Sequence, residues 1–310
     1  MTGKNAVTVS ADASADASAD AFADAPAGVP AAGAAGVPAA GFAGVPARGS
    51  AYVFDNDGDH SGDQHRHLAR LLDPLTFERL ALTGVGAGWN CLEVGAGGGS
   101  VALWLAERVA PHGHVLATDI KPGLIPSREG LTVVRHDIVT DPLPAGAFDL
   151  IHARLVLSHL PQRDQVLRRL CAALRPGGFL HLDEIDISRW VAPPVSGGHG
   201  AEAYAAYVGA MARVLGAAGS DPTWGARVAG EMTRAGLVDV DPVRWSEVWK
   251  PGSAGLDLMI SNSHHLQSRL TEAGIPLGRL REAREVMAAP GFEAPSFEIH
   301  SVLGRRAPAV

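Results

Sequence analysis

The chain has 310 residues, 46% of them hydrophobic, and a formal net charge of −7 at pH 7, which is enough length and apolar content for a large core. The negative charge argues against nucleic acid as the main partner, because phosphate binding normally shows as a basic surface. No apolar run approaches the roughly 20 residues of a membrane helix, no secretory or transit pattern is visible, and two cysteines are too few for a disulfide framework. We therefore expect a cytoplasmic protein with no membrane partner.

The first 50 residues predict a disordered tail. Aspartates recur in it at a strict spacing of four: Asp12, Asp16, Asp20 and Asp24. On a helix these like charges would stack on one face and repel each other. The tripeptide GVP then recurs between residues 28 and 46, with a proline in every copy. Such a segment buries too little apolar surface to offset the entropy lost on ordering, although a docking or solubility role is the alternative.

A folded domain is predicted from residue 51 to residue 310. Its first part, 51–85, indicates a helical lid of one or two short helices, with Asp73 and Pro74 as a cap and first-turn pair. The next part, 86–184, alternates apolar strands with helical patterns, which is typical of a parallel sheet covered on both faces. The predicted strands are 90–94, 114–119, 131–137, 148–154 and 179–184, and the predicted helices are 100–110 and 162–174.

The remaining part, 185–310, is expected to supply substrate-side segments and to complete the sheet. The predicted elements are helices near 201–218, 224–235, 256–273 and 277–288, and strands near 239–249 and 296–304. The predicted fold class is therefore α/β, with a doubly wound, mostly parallel, seven-stranded sheet. Only "IKPGLIPSREG" (120–130) separates the second and third strands, and it is too short and proline-rich for a full crossover helix.

A turn built mainly of glycine follows the first strand in "CLEVGAGGGS" (91–100). In an open parallel sheet, ligands bind beyond the carboxyl ends of the strands where the strand order reverses, so this turn lies at the expected crevice. A phosphate-binding loop would need lysine and then serine or threonine at the helix start, but this helix begins "SVALW". A dinucleotide fingerprint needs glycine at its sixth position, where this chain has Ser100. The dinucleotide interpretation is weakened but stays open.

The run from Glu93 to Gly99, an acidic residue followed by three alternating glycines, resembles the first motif of class I S-adenosylmethionine-dependent methyltransferases. Asp119 closes the second strand in "LATDI", where this family has an acidic residue that binds both ribose hydroxyls. The later stretches "ARLVLSHLP" and "LRPGG" are also similar to motifs of the family. The resemblance spans about residues 52 to 184 and is closest to the small-molecule branch associated with secondary metabolism.

This resemblance implies S-adenosylmethionine as cofactor and a set of residues that would hold it. Asp119 would accept the ribose hydroxyls, and Asp137 would accept the adenine amino group between Ile120 and Ile138. Arg154, just past the fourth strand, is a candidate for pairing with the methionine carboxylate, and an ordinary surface salt bridge is the alternative. The full implied set is Glu93, Gly95, Ala96, Gly97, Gly99, Asp119, Ile120, His136, Asp137, Ile138 and Arg154.

The resemblance also implies in-line transfer of a methyl group to oxygen, nitrogen or carbon of a small-molecule acceptor. Positioning contributes roughly 7–11 kcal/mol and a general base about a hundredfold to ten-thousandfold in rate, so a base is optional. His159, after the fourth strand, is the candidate catalytic base because an ordinary histidine pKa suits that task. Packing beside the next helix is the alternative role.

The acceptor site is expected under aromatic and polar residues of the less regular segments. The candidate acceptor residues are Tyr52, Trp190, Tyr204 and His264, and packing in the core is the alternative role of the aromatic ones. His264 lies in "SNSHHLQSRL" (261–270), which also carries Asn262 on the same predicted helix.

No metal is expected. The stretch 55–67 is rich in ligand residues, but a calcium loop counted from Asp55 needs glycine and glutamate where this chain has His60 and Arg66. Two other functions stay open: a nicotinamide-dependent oxidoreductase and a non-catalytic relative of the methyltransferases. The sequence also leaves open whether the protein is a monomer or a homodimer.

Overall fold

The computed structural model describes residues 53–54, 61–188, 190 and 200–309. The predicted tail over 1–50 and the candidate acceptor residue Tyr52 lie outside these residues. Within the described part, no helix combines the length and the apolar character that crossing a bilayer requires.

Strands and helices alternate through most of the described chain. The strands are β1 (Asn90–Val94), β2 (His114–Asp119), β3 (Leu131–Arg135), β4 (Phe148–Arg154), β5 (Leu174–Asp186), β6 (Leu237–Trp245), β7 (Val248–Trp249), β8 (Ala294–Pro295) and β9 (Glu298–Arg306). The α-helices are α1 (Ser61–Ala81), α2 (Ser100–Val109), α3 (Arg163–Ala173), α4 (Ala201–Ala217), α5 (Trp224–Arg234), α6 (Ala254–His265), α7 (Gln267–Glu272) and α8 (Leu277–Ala288). Short 3-10 helices cover Pro122–Leu124 and Leu157–His159.

Seven strands form one sheet in the order β3-β2-β1-β4-β5-β9-β6, and β7 pairs separately with β8. The neighbours among β1 to β5 are parallel, whereas β9 runs antiparallel to both β5 and β6. The chain reverses its direction of progress across the sheet between β1 and β4, so a crevice opens beyond the carboxyl ends of these strands. The predicted doubly wound, mostly parallel, seven-stranded sheet is confirmed.

The central strands are buried on both faces. Cys91 of β1 and Leu150 of β4 belong to an apolar cluster with α2, whereas Leu92 and Ile151 belong to a second cluster with α3 and α5. Successive side chains of a strand point to opposite faces, so neighbouring apolar residues contribute to different clusters. This double burial explains why the strands have continuous apolar sequences.

A third apolar cluster joins the remaining helices beside the crevice. It contains Leu72 of α1, Met211 of α4, Met259 of α6 and Met287 of α8. These four helices pack together in one apolar cluster, which we call the cap. The cap supplies the second side of the cavity that the site occupies.

The N-terminal helix corrects one prediction. α1 is a single helix of 21 residues that continues through Pro74, so Asp73 and Pro74 are not a cap and first-turn pair. A proline in a helix interior costs roughly 3 kcal/mol. The buried face of α1, with Leu71, Leu72 and Leu80, offsets this cost.

Several predicted boundaries also shift. The predicted helix 256–273 is divided into α6 and α7 at Leu266, and the predicted strand 239–249 is divided into β6 and the separate β7. Between β2 and β3 only the short 3-10 helix Pro122–Leu124 forms, which agrees with the absence of a predicted crossover helix there.

Candidate functional site

One cavity of about 1220 Å³ lies beyond the carboxyl ends of β1 to β4. We call its first side the strand edge; it comprises Glu93–Gly98, Thr118–Lys121, Arg135–Asp141 and Arg154. We call its second side the helical chamber; it comprises the lining residues of α1, α4, α6 and the 3-10 helix Leu157–His159, together with Trp190 and Phe297. Cavities for one drug-sized ligand measure roughly 300–1,000 Å³, so this cavity has room for two molecules.

The glycine turn forms part of the strand edge. Gly95, Gly97 and Gly99 have φ values of 66°, 53° and 83°, which side-chain-bearing residues rarely adopt. A Cβ atom on Gly95 would lie 2.5 Å from a methyl carbon of Val156, and one on Gly97 would lie 2.7 Å from the ring of His65. Neighbouring side chains therefore pack on the glycines, while the turn from Gly95 to Gly98 borders the cavity.

Gly99 corrects the predicted set. It precedes α2, and a Cβ atom added there would lie 2.9 Å from Ile125. Gly99 therefore faces the segment after β2 and does not line the cavity, whereas Gly98 does. Its φ of 83° makes glycine necessary for the shape of the turn.

Asp119 closes β2 with only 7% of its surface exposed. Its Oδ2 accepts a hydrogen bond from the backbone N–H of Gly97 at 3.0 Å, and its Oδ1 accepts one from the N–H of Lys121 at 2.8 Å. Burial raises the pKa of this carboxyl group, and the backbone donors oppose that increase. The two bonds fix the carboxyl group at the cavity wall, directly beside the glycine turn.

The end of β3 contributes a second group of predicted residues. His136, Asp137 and Ile138 all line the cavity, opposite Ile120 from the end of β2. Oδ1 of Asp137 accepts a hydrogen bond from the N–H of Val139 at 2.9 Å, so Asp137 also starts the turn that follows the strand. The structure therefore brings the predicted acidic and apolar residues of two neighbouring strands to one edge.

Arg154 lines the cavity and is also tied to α1. Its Nη1 donates to Oδ1 of Asp73 at 2.8 Å and to Oγ1 of Thr76 at 3.1 Å. Ser100, the first residue of α2, donates to the same Asp73 oxygen at 3.0 Å. These bonds give Asp73 a role in joining α1 to the strand edge in place of the predicted helix cap.

Glu93 lines the cavity at one end of a buried polar network. Its Oε2 lies 2.7 Å from Nδ1 of His152, and Nε2 of that ring lies 3.6 Å from Oδ2 of Asp183. Burial alone would lower the pKa of His152, but the two acidic side chains outweigh burial and raise this pKa to about 9. The ring therefore carries a positive charge at neutral pH between two acidic groups.

The network continues into the sheet. Burial would raise the pKa of the Asp183 carboxyl group, but His181 and His152 hold it well below its usual range. Thr76 of α1 donates to Oδ2 of Asp183 at 2.6 Å, and Nε2 of His181 lies 2.8 Å from Oγ of Ser301. α1 is thus anchored to the sheet by polar contacts as well as by apolar packing.

The same residues form the densest metal-ligating group near the strand edge in the described part of the chain. The ligating atoms of His152, His181 and Asp183 lie within 4.8 Å of one another. The hydrogen bonds of His152 with Glu93, of Asp183 with Thr76 and of His181 with Ser301, together with the charge contacts of both histidines with Asp183, account for this convergence. Residues 55–60 of the ligand-rich stretch 55–67 lie outside the described residues.

His159, the candidate base, lines the cavity on the 3-10 helix after β4. Its Nδ1 lies 2.9 Å from Oγ of Ser220. Burial, and then the positive charge of Arg163, lowers the pKa of His159 to about 4. The expectation of an ordinary histidine pKa is therefore corrected: the ring is neutral and weakly basic at physiological pH.

Of the three candidate acceptor residues that the structure describes, only one lines the cavity. Trp190 lines the helical chamber with 6% of its surface exposed, and its ring centre lies 5.7 Å from that of Phe297. Tyr204 does not line the cavity; it projects from α4 into the apolar cluster, where its ring centre lies 5.3 Å from that of Phe292. Tyr204 is therefore a core residue, and its predicted acceptor role is corrected.

His264 is also placed away from the cavity. It is exposed and borders a separate small cleft with Asp63 and His67. Residues that are two positions apart on a helix point about 200° apart. Asn262 therefore faces the cavity, whereas His264 faces outward. The predicted acceptor role of His264 is corrected for this reason.

Two cavity residues of α1 were missed by the sequence analysis. Gln64 is 7% exposed and lines the cavity, and the ring of His65 covers the glycine turn at Gly97. Burial, with smaller effects of Arg154 and His265, lowers the pKa of His65 to about 4. The sequence contained an indication of Gln64, because this residue lies four positions before the apolar Leu68 and so on the same face of the helix.

Residues 92–180 match the family model described as "Methyltransferase domain". The chain contains a methyltransferase domain. "Methyltransferase str3" of Strobilurus tenacellus is 36% identical over 127 residues, which are 40% of this chain and 43% of that protein. "Nocamycin O-methyltransferase" of Saccharothrix syringae is 30% identical over 184 residues, 54% of this chain and 65% of that protein.

A third relative is the "Ubiquinone/menaquinone biosynthesis C-methyltransferase UbiE" of Laribacter hongkongensis, 32% identical over 109 residues, 33% of this chain and 45% of that protein. The chain thus spans less than two thirds of the length of these relatives. The predicted resemblance to methyltransferases is confirmed over residues 92–180. The predicted strand-edge residues, from Glu93 to Arg154, all lie within the methyltransferase domain. Gln64, Trp190 and Asn262 lie outside it.

Proposed function

We propose that this protein transfers a methyl group from S-adenosylmethionine to a small-molecule acceptor. The observation that supports the proposal most is the single cavity that joins the strand edge of the methyltransferase domain to an apolar helical chamber. Methyl transfer needs two reactants in contact, and holding them so contributes roughly 7–11 kcal/mol to lowering the barrier.

The residues of the strand edge fit an adenosine that is joined to an amino acid. The bound cofactor would supply an activated methyl group on a sulfonium sulfur. Asp119 accepts the two ribose hydroxyls, each charge-assisted bond contributing roughly 1.5–3 kcal/mol. Asp137 accepts the adenine amino group between Ile120 and Ile138. Arg154, held by Asp73, keeps a guanidinium group at the cavity for the methionine carboxylate.

The remaining residues of the predicted cofactor set act through backbone and shape. The turn from Gly95 through Ala96 to Gly97 would border the amino acid part of the cofactor, and Glu93 and His136 would border it at either end of the same cavity wall. His65 covers the turn from α1, so α1 excludes water from this part of the cavity.

The acceptor occupies the helical chamber and reacts through oxygen. A relative of this chain carries the name "Nocamycin O-methyltransferase", which supports oxygen over nitrogen. His159 accepts the hydroxyl proton at Nε2, while Nδ1–H donates to Oγ of Ser220. A weakly basic imidazole suffices, because the hydroxyl becomes strongly acidic as the bond from its oxygen to the methyl carbon forms.

Calorimetric titration with S-adenosylhomocysteine tests the proposal. We expect saturable binding to the natural chain and binding at least about tenfold weaker to Asp119→Ala, because a charge-assisted pair of bonds is lost. The exposed Asp164→Ala variant is the matched control and should bind as the natural chain does. Equal affinity in Asp119→Ala would remove Asp119 from the ribose role. Tight binding of a nicotinamide dinucleotide without binding of S-adenosylhomocysteine would overturn the function itself.

A further inference from the structure

Two cavity residues on facing helices carry buried oxygens to which no described residue donates a hydrogen bond. Oε1 of Gln64 on α1 and Oδ1 of Asn262 on α6 are both buried and have no hydrogen-bond partner in the described part of the protein. Gln64 is 7% exposed as a whole residue, and both residues line the same cavity. Buried polar groups are normally paired, so two unpaired carbonyl oxygens at one cavity require an explanation.

The surroundings of the two amides are apolar. Leu68 of α1 and Leu258 and Met259 of α6 also line the helical chamber. α1 and α6 are neighbours, with Nη1 of Arg70 lying 3.6 Å from Oδ2 of Asp257. An apolar pocket with a few convergent polar groups is the usual form of a small-molecule site. The terminal torsions of glutamine and asparagine are soft, so each amide can turn its oxygen toward a bound molecule.

The charges of the cavity restrict which molecule can pair with these oxygens. Among the described lining residues, the carboxyl groups are those of Glu93, Asp119, Asp137 and Asp141, and all of them belong to the strand edge. The charged residues that line the cavity outside the strand edge are Arg66 and Arg269, which are exposed and positive. A cationic amine would therefore enter an apolar chamber with no opposite charge beside it, which is unfavourable.

From these observations we infer that Gln64 and Asn262 form an amide pair that binds the methyl acceptor through neutral hydrogen-bond donors. The acceptor class is thus an uncharged, largely apolar molecule that carries at least two hydroxyl groups. This inference rests on the proposed function and adds to it the chemical class of the acceptor. Gln64 and Asn262 hold the acceptor, whereas the strand edge holds the cofactor.

The test uses the full chain saturated with S-adenosylhomocysteine and three probes on one skeleton: dihydroxynaphthalene, naphthylmethylamine and naphthoic acid. Binding is measured by calorimetry and by quenching of tryptophan fluorescence, since Trp190 lines the chamber. We expect dihydroxynaphthalene to bind at least about tenfold more tightly than the cationic amine, as expected for two added hydrogen bonds and no buried unpaired charge.

Variants then test the two residues. Gln64→Met and Asn262→Leu should each weaken binding of dihydroxynaphthalene about tenfold and leave the affinity for S-adenosylhomocysteine unchanged. Gln162→Met is the matched control, because Gln162 lines the same cavity but is exposed. The melting temperature of ligand-free Gln64→Met should equal or exceed that of the natural chain, because the variant removes a buried unpaired oxygen. A purely structural glutamine would instead give a lower melting temperature.

Three outcomes would overturn the inference: no probe binds, the amine binds as tightly as the diol, or both variants keep the natural affinity for the diol. A loss of S-adenosylhomocysteine affinity in Gln64→Met would assign that residue to the cofactor and also overturn the pair. If the natural chain fails to bind S-adenosylhomocysteine at all, the proposed function fails. If it binds S-adenosylhomocysteine but shows no preference for the diol, only the acceptor class fails.

Discussion

The strand edge and the helical chamber face the same cavity but are built in different ways. The strand edge uses the glycine turn and the last residues of neighbouring strands, and all but one of its residues lie between Glu93 and Asp141. The chamber uses side chains from segments spread between α1 and Phe297. The shape of the strand edge depends on the local backbone conformation, whereas the shape of the chamber depends on how distant helices pack together. A local sequence motif can therefore report the strand edge but not the chamber.

The two regions also differ in how they treat buried polar groups. Beside the strand edge, the His152 ring lies between the carboxyl groups of Glu93 and Asp183, and Arg154 is paired with Asp73. In the chamber, buried amide oxygens have no partner in the described protein. Charge pairing favours rigidity, whereas unpaired polar groups favour the binding of a ligand that supplies the missing donors.

The largest expected effect concerns the rigid network. His152→Gln should lower the free energy of unfolding by about 3–5 kcal/mol, because it leaves two buried acidic groups without the positive charge between them. Urea denaturation measures this value, and His112→Gln, which alters an exposed histidine, is the matched control. A loss below about 1 kcal/mol would mean that the network does not stabilise the strand edge.

A smaller effect is expected on the chamber side of the cavity. His159→Gln should lower the rate of methyl transfer to a hydroxyl acceptor about a hundredfold, because the proton acceptor is lost. The affinity for S-adenosylhomocysteine should not change, since His159 belongs to the chamber. The transfer of label from methyl-labelled S-adenosylmethionine to dihydroxynaphthalene measures the rate. An unchanged rate would remove His159 from catalysis and leave it a packing role.

The smallest expected effect is the pH dependence of stability. The folded-state pKa of His65 and of His159 is about 4, so between about pH 4 and 6.5 the unfolded chain binds more protons and stability increases with pH. The folded-state pKa of His152 is about 9, so between about pH 6.5 and 9 the folded chain binds more protons and stability decreases.

Each such histidine contributes a slope of up to about 1.4 kcal/mol per pH unit. Urea denaturation in a series of buffers should therefore show maximal stability near pH 6.5. His152→Gln should remove the decrease on the alkaline side that this histidine causes. An alkaline decrease of the same size in the variant would show that other groups produce it.

Much of the fold and of the strand edge could be predicted from the sequence. β1, β2 and β4 end where their apolar runs end. Asp119 closes β2 and Asp137 follows the end of β3 by two residues, so their common edge follows from parallel pairing. Gly99 was assigned to the cavity because the motif has three glycines. The φ of this residue and its contact with Ile125 depend on the segment after β2, which local pattern does not describe.

The helical chamber could not be predicted in the same way. Tyr204 and His264 are polar or aromatic residues in the expected segments, but the packing of α4 and the rotation of α6 decide which side chains face the cavity. Asn262 lies two positions from His264 and faces the cavity instead. Pro74 shows the same limit, because a proline that usually starts a helix lies inside α1, whose buried face is held by the rest of the fold.

A crystal structure of the protein with S-adenosylhomocysteine tests the central claim most directly. The account predicts that both ribose hydroxyl oxygens lie about 2.5–3.0 Å from the carboxyl oxygens of Asp119, with the adenine between Ile120 and Ile138 and the sulfur directed toward the helical chamber. An adenosine bound elsewhere, or with Asp119 turned away from the ribose, would contradict the division of the cavity into a cofactor side and an acceptor side.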